Sequence, residues 1–291
     1  MFVWYKDTNS GEESYWEGEF AGKPNYVLEY LKVGKSIRIR YFCDLEEEAE
    51  QLKGKYGGGV RAVEDEEWNK PVDAPRPVNV RGKILLTSVT GECELEEMRK
   101  GQVGKHIISI PAEMAFGTGD HATTSTCLRM LVDVASERKR MRKAWSMADL
   151  GTGTGVLAIA AKHLGASELY ACDFDPFAVA AAKRNAVRNG AEGIDIQEQD
   201  VLVWEPRVGG YDLVMANLFS TVLIEAWPVI AKSIAVGGDL IVSGILADQA
   251  WDVFTAAATH GIGISKVVRK GKWVTARGGL MVDLIKKEGL E

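Results

Sequence analysis

Between positions 149 and 155 the chain reads Asp149-Leu150-Gly151-Thr152-Gly153-Thr154-Gly155. Glycines at alternate positions permit positive φ and let the backbone approach a ligand that a Cβ would hold away. The apolar stretch Val156 to Leu164 follows at once, so the first amides of a helix there point into the same crevice. Asp149 precedes the glycines, where a carboxylate meets an ammonium group or a water beside a ligand. The same turn also serves simply to close a strand tightly onto a helix. A second carboxylate, Asp173, lies 20 residues after Gly153 in Leu169-Tyr170-Ala171-Cys172-Asp173-Phe174-Asp175-Pro176. At the end of the next strand such a residue grips the two hydroxyls of a ribose. Phe174 follows it as a candidate cofactor contact, and Asp175 is placed to cap the helix that Pro176 begins. These pieces leave the cofactor open. Gly153-Thr154-Gly155-Val156-Leu157-Ala158 also satisfies G-x-G-x-x-A, and a nicotinamide-dependent oxidoreductase would carry much the same text.

The elements that must position these residues can be read from the surrounding pattern. Ala144 to Leu150 is a candidate buried strand, Val156 to Leu164 an apolar helix, Glu168 to Asp173 a strand and Pro176 to Asn189 a helix. Strands fit Ile194 to Glu198, Tyr211 to Asn217 and Asp239 to Ser243, with helices near Thr221 to Ala235 and Asp248 to His260. A closing pair is expected near Ile264 to Arg269 and Leu280 to Lys286, too close in sequence for a helical crossover and therefore an antiparallel hairpin. The fold class is α/β, a doubly wound and mostly parallel seven-stranded sheet, with a smaller α+β domain before it. That small domain is expected over residues 1–65, a linker with a short hairpin over 66–105, and the main domain over 106–291. Within the first region Tyr15 to Phe20 reads as a strand. Ile37, Ile39 and Tyr41 alternate with Arg38 and Arg40 like a half-buried strand, Asp44 and Glu47 form a capping box for a helix running to Lys55, and Val60 to Val63 adds another strand. The linker hairpin is expected to set Lys83 to Thr87 against His106 to Ile110.

Upstream of the sheet stands Met114-Ala115-Phe116-Gly117-Thr118-Gly119-Asp120-His121-Ala122-Thr123-Thr124; downstream, a strand ends in Asn217-Leu218-Phe219. With the glycine segment and the Asn185 to Gly190 helix end, these resemble the PrmA family, bacterial methyltransferases that modify ribosomal protein L11. The resemblance covers about residues 105–277, and Ser243-Gly244-Ile245-Leu246 and the Gly271 to Val274 segment fall in the family's order. It implies S-adenosylmethionine as cofactor and transfer of its methyl group to lysine or N-terminal amines of a ribosomal protein. It also implies that Thr124 and Gly151 contact the cofactor, that Asp173 holds the ribose, that Phe116 covers the cofactor with Thr123 nearby, and that Asn217 lines the methyl-transfer site. Asp149, Gly153, Gly155 and Phe174 complete the expected cofactor set. Asn217 and His121 are the catalytic candidates: the first accepts a hydrogen bond from the attacking amine, and the second acts as a base or orients the loop. Where the family usually has Gly-Thr-Gly-Thr-His-Pro-Thr-Thr, this chain has Asp120 and Ala122 in place of threonine and proline.

Bulk properties narrow the partners. The 291 residues carry 35 basic and 41 acidic side chains, a net charge of −6 that offers no broad field to a polyanion, so direct nucleic-acid binding is not expected. Residues 1–65 hold nine basic and thirteen acidic residues, mildly suited to a basic protein substrate. The four cysteines form no CxxC pair and no His/Cys/Asp cluster suggests a metal. No apolar run approaches the length of a bilayer span. A cytoplasmic, monomeric enzyme is the resulting expectation. Three alternatives stand beside it: the same chemistry on another protein or a small amine, a nicotinamide-dependent oxidoreductase, and a non-catalytic cofactor-binding module on the ribosome.

Overall fold

The computed structural model describes residues 2–20, 25–32, 36–43, 45–62, 77–111 and 121–281, and the chain divides into two compact units, Met1–Asp73 and Ala74–Glu291. In the first unit, β1 (Phe2–Asn9), β2 (Tyr26–Lys32), β3 (Ser36–Cys43) and β4 (Gly59–Ala62) form an antiparallel sheet in the order β2-β3-β1-β4. Ile37 and Ile39 are fully buried while Arg38 and Arg40 are only partly covered, the alternation expected of a one-sided sheet. Two helices, α1 (Glu13–Glu19) and α2 (Glu46–Tyr56), accompany the sheet. The stretch Tyr15 to Phe20, expected as a strand, is therefore helical. Its two buried aromatics, Trp16 and Phe20, are four apart and share one helix face against Trp4, an i,i+4 signal that outweighs the β preference of aromatic residues. Leu45 occupies the N-cap of α2, and Asp44 lies outside the described residues.

The second unit opens with β5 (Val78–Val80), β6 (Ile84–Thr87), α3 (Glu92–Gly101) and β7 (His106–Ser109). β6 and β7 are neighbours, as expected, but parallel rather than a hairpin: α3 lies between them and supplies the crossover that a parallel pair requires. The antiparallel hairpin here is β5 with β6.

The main sheet comprises β8 (Ser146–Leu150), β9 (Glu168–Asp173), β10 (Asp195–Glu198), β11 (Tyr211–Asn217), β12 (Ile234–Leu246), β13 (Ile262–Lys270) and β14 (Trp273–Leu280), in the order β10-β9-β8-β11-β12-β14-β13. The first five are mutually parallel, and β14 inserts antiparallel between β12 and β13. The closing hairpin is as expected, but its second strand starts at Trp273 rather than Leu280; residues 282–286 of the expected range lie outside the described residues. Helices α4 (Ala122–Arg140), α5 (Val156–His163) and α6 (Pro176–Arg188) share one core with Met147, Leu213, Met215 and Ile241. Helices α7 (Ser220–Ser233) and α8 (Ala250–Thr259) share the other with Ala148, Leu150, Val214 and Val242. Odd and even positions of each central strand thus enter different cores, which is why these strands read as continuous apolar runs.

At the end of the sheet away from the glycine turn, Arg277 of β14 donates to Glu137 of α4 at 3.0 and 2.6 Å and to Asp239 of β12 at 2.9 Å. The buried Arg138 donates to the same Asp239 at 2.9 Å and to the Asp212 carbonyl at 3.1 Å. This network ties the longest helix to three strands. Among the described residues no helix is long and apolar enough to cross a membrane.

Candidate functional site

From β8 the chain runs outward through β9 and β10, then returns to β11 on the other side, so the strand order reverses between β8 and β11. Ligands of such sheets bind at the carboxyl ends of the strands flanking that reversal. The glycine turn lies there. Gly151, Gly153 and Gly155 have φ of 71°, 55° and 80°, values that L side chains rarely adopt. The Gly151 and Thr152 amides both bond the Cys172 carbonyl at 2.9 Å, pinning the turn to β9, and the buried Asn185 of α6 donates to the Thr154 carbonyl at 3.0 Å. Gly155 packs against Ala182 of α6, which a Cβ would approach to 3.1 Å.

Asp173 is held from two directions. Its Oδ2 accepts from the Gly153 amide at 2.9 Å and its Oδ1 from the Asp175 amide at 3.1 Å. Each carboxylate oxygen keeps a further lone pair, and the side chain is partly exposed, so the group is oriented and still able to accept two hydroxyls. Asp175 caps α6, with Pro176 in its first turn. Phe174 between them is largely exposed.

Asp149 is buried. Its Oδ2 accepts from the Thr152 hydroxyl at 2.7 Å, while Oδ1 has no hydrogen-bond partner among the described residues. Burial pushes its carboxyl up to about 7, opposed by the Thr152 hydroxyl and the Ala158 amide and reinforced by the nearby Asp173 charge. In the segments that adjoin it, three more buried oxygens are without a hydrogen-bond partner among the described residues: Thr124 Oγ1, Asn217 Oδ1 and Ser220 Oγ. All four belong to segments that meet at this crevice. Met215 is in register with Asp149 and Ala216 with Leu150, so Asn217 emerges beside Gly151. Cys127, one turn beyond Thr124 on α4, lies near the Ser243 hydroxyl and within reach of the Asp149 charge, which brings the start of α4 over the same strand ends.

Leu218 fixes the Asn217 segment. A Cβ on Gly151 would lie 2.2 Å from Leu218 Cδ2, and one on Gly244 would lie 2.2 Å from the Leu218 carbonyl oxygen. The Leu218 amide bonds the Ser243 carbonyl at 3.1 Å. Two glycine turns therefore close on Leu218 from opposite sides and leave Asn217 little freedom.

His121 is the N-cap of α4. Its Nδ1 accepts from the Thr123 amide at 3.4 Å and stands 2.8 Å from the Thr123 hydroxyl, and its ring meets Trp273 edge-on at 5.2 Å. Ala122 begins the helix at a position where proline is equally well accommodated, so the departure from the family pattern removes no bond. Phe116 lies outside the described residues. Of the other expected site residues, Thr124, Asp149, Gly151, Gly153, Gly155, Asp173 and Asn217 belong to segments that meet at the same strand ends, and Thr123 is buried. Ser220, Leu218 and the packing role of Gly244 were not singled out from the sequence. A serine opening a helix and a glycine after a strand are too common to stand out, and only the orphaned hydroxyl and the close approach reveal them.

A tight turn without Cβ atoms at alternate positions, an oriented carboxylate and several buried oxygens lacking partners suits a ligand carrying an ammonium group, hydroxyls and a cationic centre. The family model described as ribosomal protein L11 methyltransferase (PrmA) matches residues 13–279. A "Ribosomal protein L11 methyltransferase" from Symbiobacterium thermophilum is 39% identical over 188 residues, 64% of this chain and 57% of that protein. One of the same name from Pelotomaculum thermopropionicum is 36% identical over 217 residues, 74% of this chain and 66% of that protein. The chain thus spans somewhat under two thirds of the length of these relatives. The crystal structure of a ribosomal protein L11 methylase from Lactobacillus delbrueckii subsp. bulgaricus is 32% identical, with a TM-score of 0.53 over 61% of this chain and 87% of that one.

Proposed function

This chain belongs to the ribosomal protein L11 methyltransferase family, and on that premise we propose that it transfers a methyl group from S-adenosylmethionine to an amine of a ribosomal protein. The observation that carries the proposal is the set of partnerless buried oxygens around the glycine turn, on Asp149, Thr124, Asn217 and Ser220. A nicotinamide has no ammonium group to occupy Asp149 and no use for an amine acceptor at Asn217.

The residues divide the work by position. Gly151, Gly153 and Gly155 carry the backbone along the cofactor, with Phe116, Thr123 and Phe174 as flanking contacts. Asp173, preset by two amides, accepts the ribose hydroxyls. Asp149 faces the ammonium, and Thr124 offers its hydroxyl to the same end. The bound cofactor supplies an electrophilic methyl on a cationic sulfur. Asn217 accepts a hydrogen bond from the incoming amine, which turns the nitrogen lone pair toward that methyl, and the Leu218 clamp keeps this direction fixed. Burial favours the neutral amine that transfer requires. His121 holds the entry of α4, and no single base is assigned.

The test is transfer of label from methyl-labelled S-adenosylmethionine to unmethylated large ribosomal subunits and to the isolated L11 protein, with Asp173→Ala and Asn217→Ala as controls. One labelled small protein, with label lost in both controls, is the expected result. Cofactor binding without any labelled ribosomal protein would sink the substrate and leave the chemistry. Binding of NADH in its place would sink both.

A further inference from the structure

The outer face of α4 forms one wall of a groove of about 450 Å³ that lies apart from the crevice above. Thr126, Arg129, Met130 and Asp133 line it from the helix, β13 contributes Lys266, Val268, Arg269 and Lys270, and the β5–β6 hairpin closes it with Asn79 and Arg81. Five cations thus surround one carboxylate, and that carboxylate is taken: Asp133 pairs with Arg81 at 2.9 Å. Lys270 donates to the Ser125 hydroxyl at 3.0 Å. Among the described residues Arg129, Lys266 and Arg269 have no acidic partner, and all three are exposed. In a chain of net charge −6, this local excess of positive charge runs against the whole.

Arg81 adds an independent sign. It occupies the first central position of a turn closed by a Lys83 amide to Val80 carbonyl bond of 3.0 Å, with φ of 52° at Arg81 and 67° at Gly82. Left-handed conformation at both positions favours Asn or Gly at the first. The chain places a long cation there instead, and directs it across the groove to α4.

We propose that this groove binds the phosphodiester backbone of RNA. Three arginines and two lysines suit phosphate oxygens, Asn79 is a neutral donor at the rim, and among the described residues no aromatic side chain lines the groove to stack a base. Binding is therefore by charge and without base preference. A basic protein surface is repelled here, so the groove is not a second seat for a basic protein substrate. It lies along the same helix whose first turn carries Thr123 and Thr124, which sets a bound RNA beside, not in, the crevice. This departs from the charge-based expectation of no nucleic-acid contact: a net charge averages over a surface, whereas phosphates respond to local fields.

The test uses the full chain and a short fluorescein-labelled single-stranded RNA, titrated by anisotropy over a series of salt concentrations. Three free cations give a slope of log K on log salt of about −2, and the Arg129→Ala/Lys266→Ala double variant about −0.7, with binding at low salt at least tenfold weaker. The same titration with poly-glutamate separates phosphate from carboxylate recognition. Melting temperature and cofactor affinity, neither of which depends on these exposed side chains, are expected to match the parent chain. Unchanged RNA affinity in the double variant, poly-glutamate bound as tightly as RNA, or no RNA binding at low salt would each overturn the assignment. Methyl transfer plays no part in these readouts, so a failure of the proposed enzymatic activity would show separately.

Discussion

Asp149 couples the cofactor crevice to pH. Its carboxyl is raised from an ordinary 3.8 to about 7 by burial, so the empty protein keeps a proton there that the unfolded chain releases. Stability from that proton is fully present below the unfolded value and is lost as pH rises through about 7, at an upper cost of about 4 kcal/mol by pH 8. A ligand ammonium reverses the preference, because only the ionised carboxylate attracts it. Affinity then follows the ionised fraction of Asp149 on the acid side and the protonated fraction of the ligand's ammonium, more basic in a free amino acid than at a chain end, on the alkaline side. The ionised fraction alone makes S-adenosylhomocysteine bind about eightfold more weakly near pH 6 than near pH 7.5. Calorimetry in buffers of different ionisation enthalpy reads the effect directly, since near pH 7 about half a proton leaves the protein per ligand bound. Asp149→Asn is expected to bind more weakly, to lose the acid limb while keeping the alkaline one, and to melt higher than the parent at pH 8 in the absence of ligand. An affinity flat from pH 6 to 7.5, with no buffer dependence of the heat, would refute the reasoning.

Three further outcomes are expected. Gly244→Ala drives a Cβ to within 2.2 Å of the Leu218 carbonyl oxygen and requires positive φ; thermal melting should report a loss of about 2–4 kcal/mol, and turnover should fall more than cofactor affinity because Asn217 moves. Arg277→Ala leaves Glu137 and the half-buried Asp239 short of a cation, and urea unfolding should show about 2–4 kcal/mol of destabilisation, with Arg277→Lys recovering only part. His106 and His163 stack at 5.4 Å, and burial lowers both imidazoles from their ordinary range. Folded values below unfolded ones mean stability that is present above about pH 6.5 and lost as pH falls through the folded values; His163→Phe should flatten the melting temperature between pH 7 and 5, and an equally steep acid loss in that variant would exclude the pair as its source.

How far the sequence spoke depends on how local each signal is. β9 and β11 have the bounds that pattern alone assigns, Glu168–Asp173 and Tyr211–Asn217, because each is an apolar run cut off by a polar residue at its functional end. The glycine turn was legible for the same reason: alternate glycines after an acidic residue are a local pattern. Tyr15 to Phe20 misled because its mixture of aromatic and acidic residues resembles a strand while the burial follows i,i+4. The β6–β7 pair misled because pairing direction is set by the helix between the strands, not by the strands. Ser220 and Leu218 stayed hidden since their importance lies in what faces them. The basic groove is assembled from the hairpin at Arg81, one stripe of α4 and the far end of β13, three segments separated by scores of residues, and no window of sequence contains it.

The insertion of β14 between β12 and β13 has a consequence for biosynthesis. β8 to β11, with the glycine turn and Asp173, can pair as they leave the ribosome, each new strand adding to an edge already formed. β12 can add to β11 in the same way, but its outer edge and the whole of β13 must wait, because the strand that joins them is the last of the sheet to be made. Until Trp273–Leu280 emerges, the nascent chain carries a β12 paired on one side only, whose Leu240, Ile241 and Val242 are destined for full burial. An open apolar edge of that kind recruits strands from other chains. Premature stops in the 270s should therefore yield aggregates rather than weakened enzyme, and any holdase that protects this protein has its period of action set by the time needed to translate from β12 to β14.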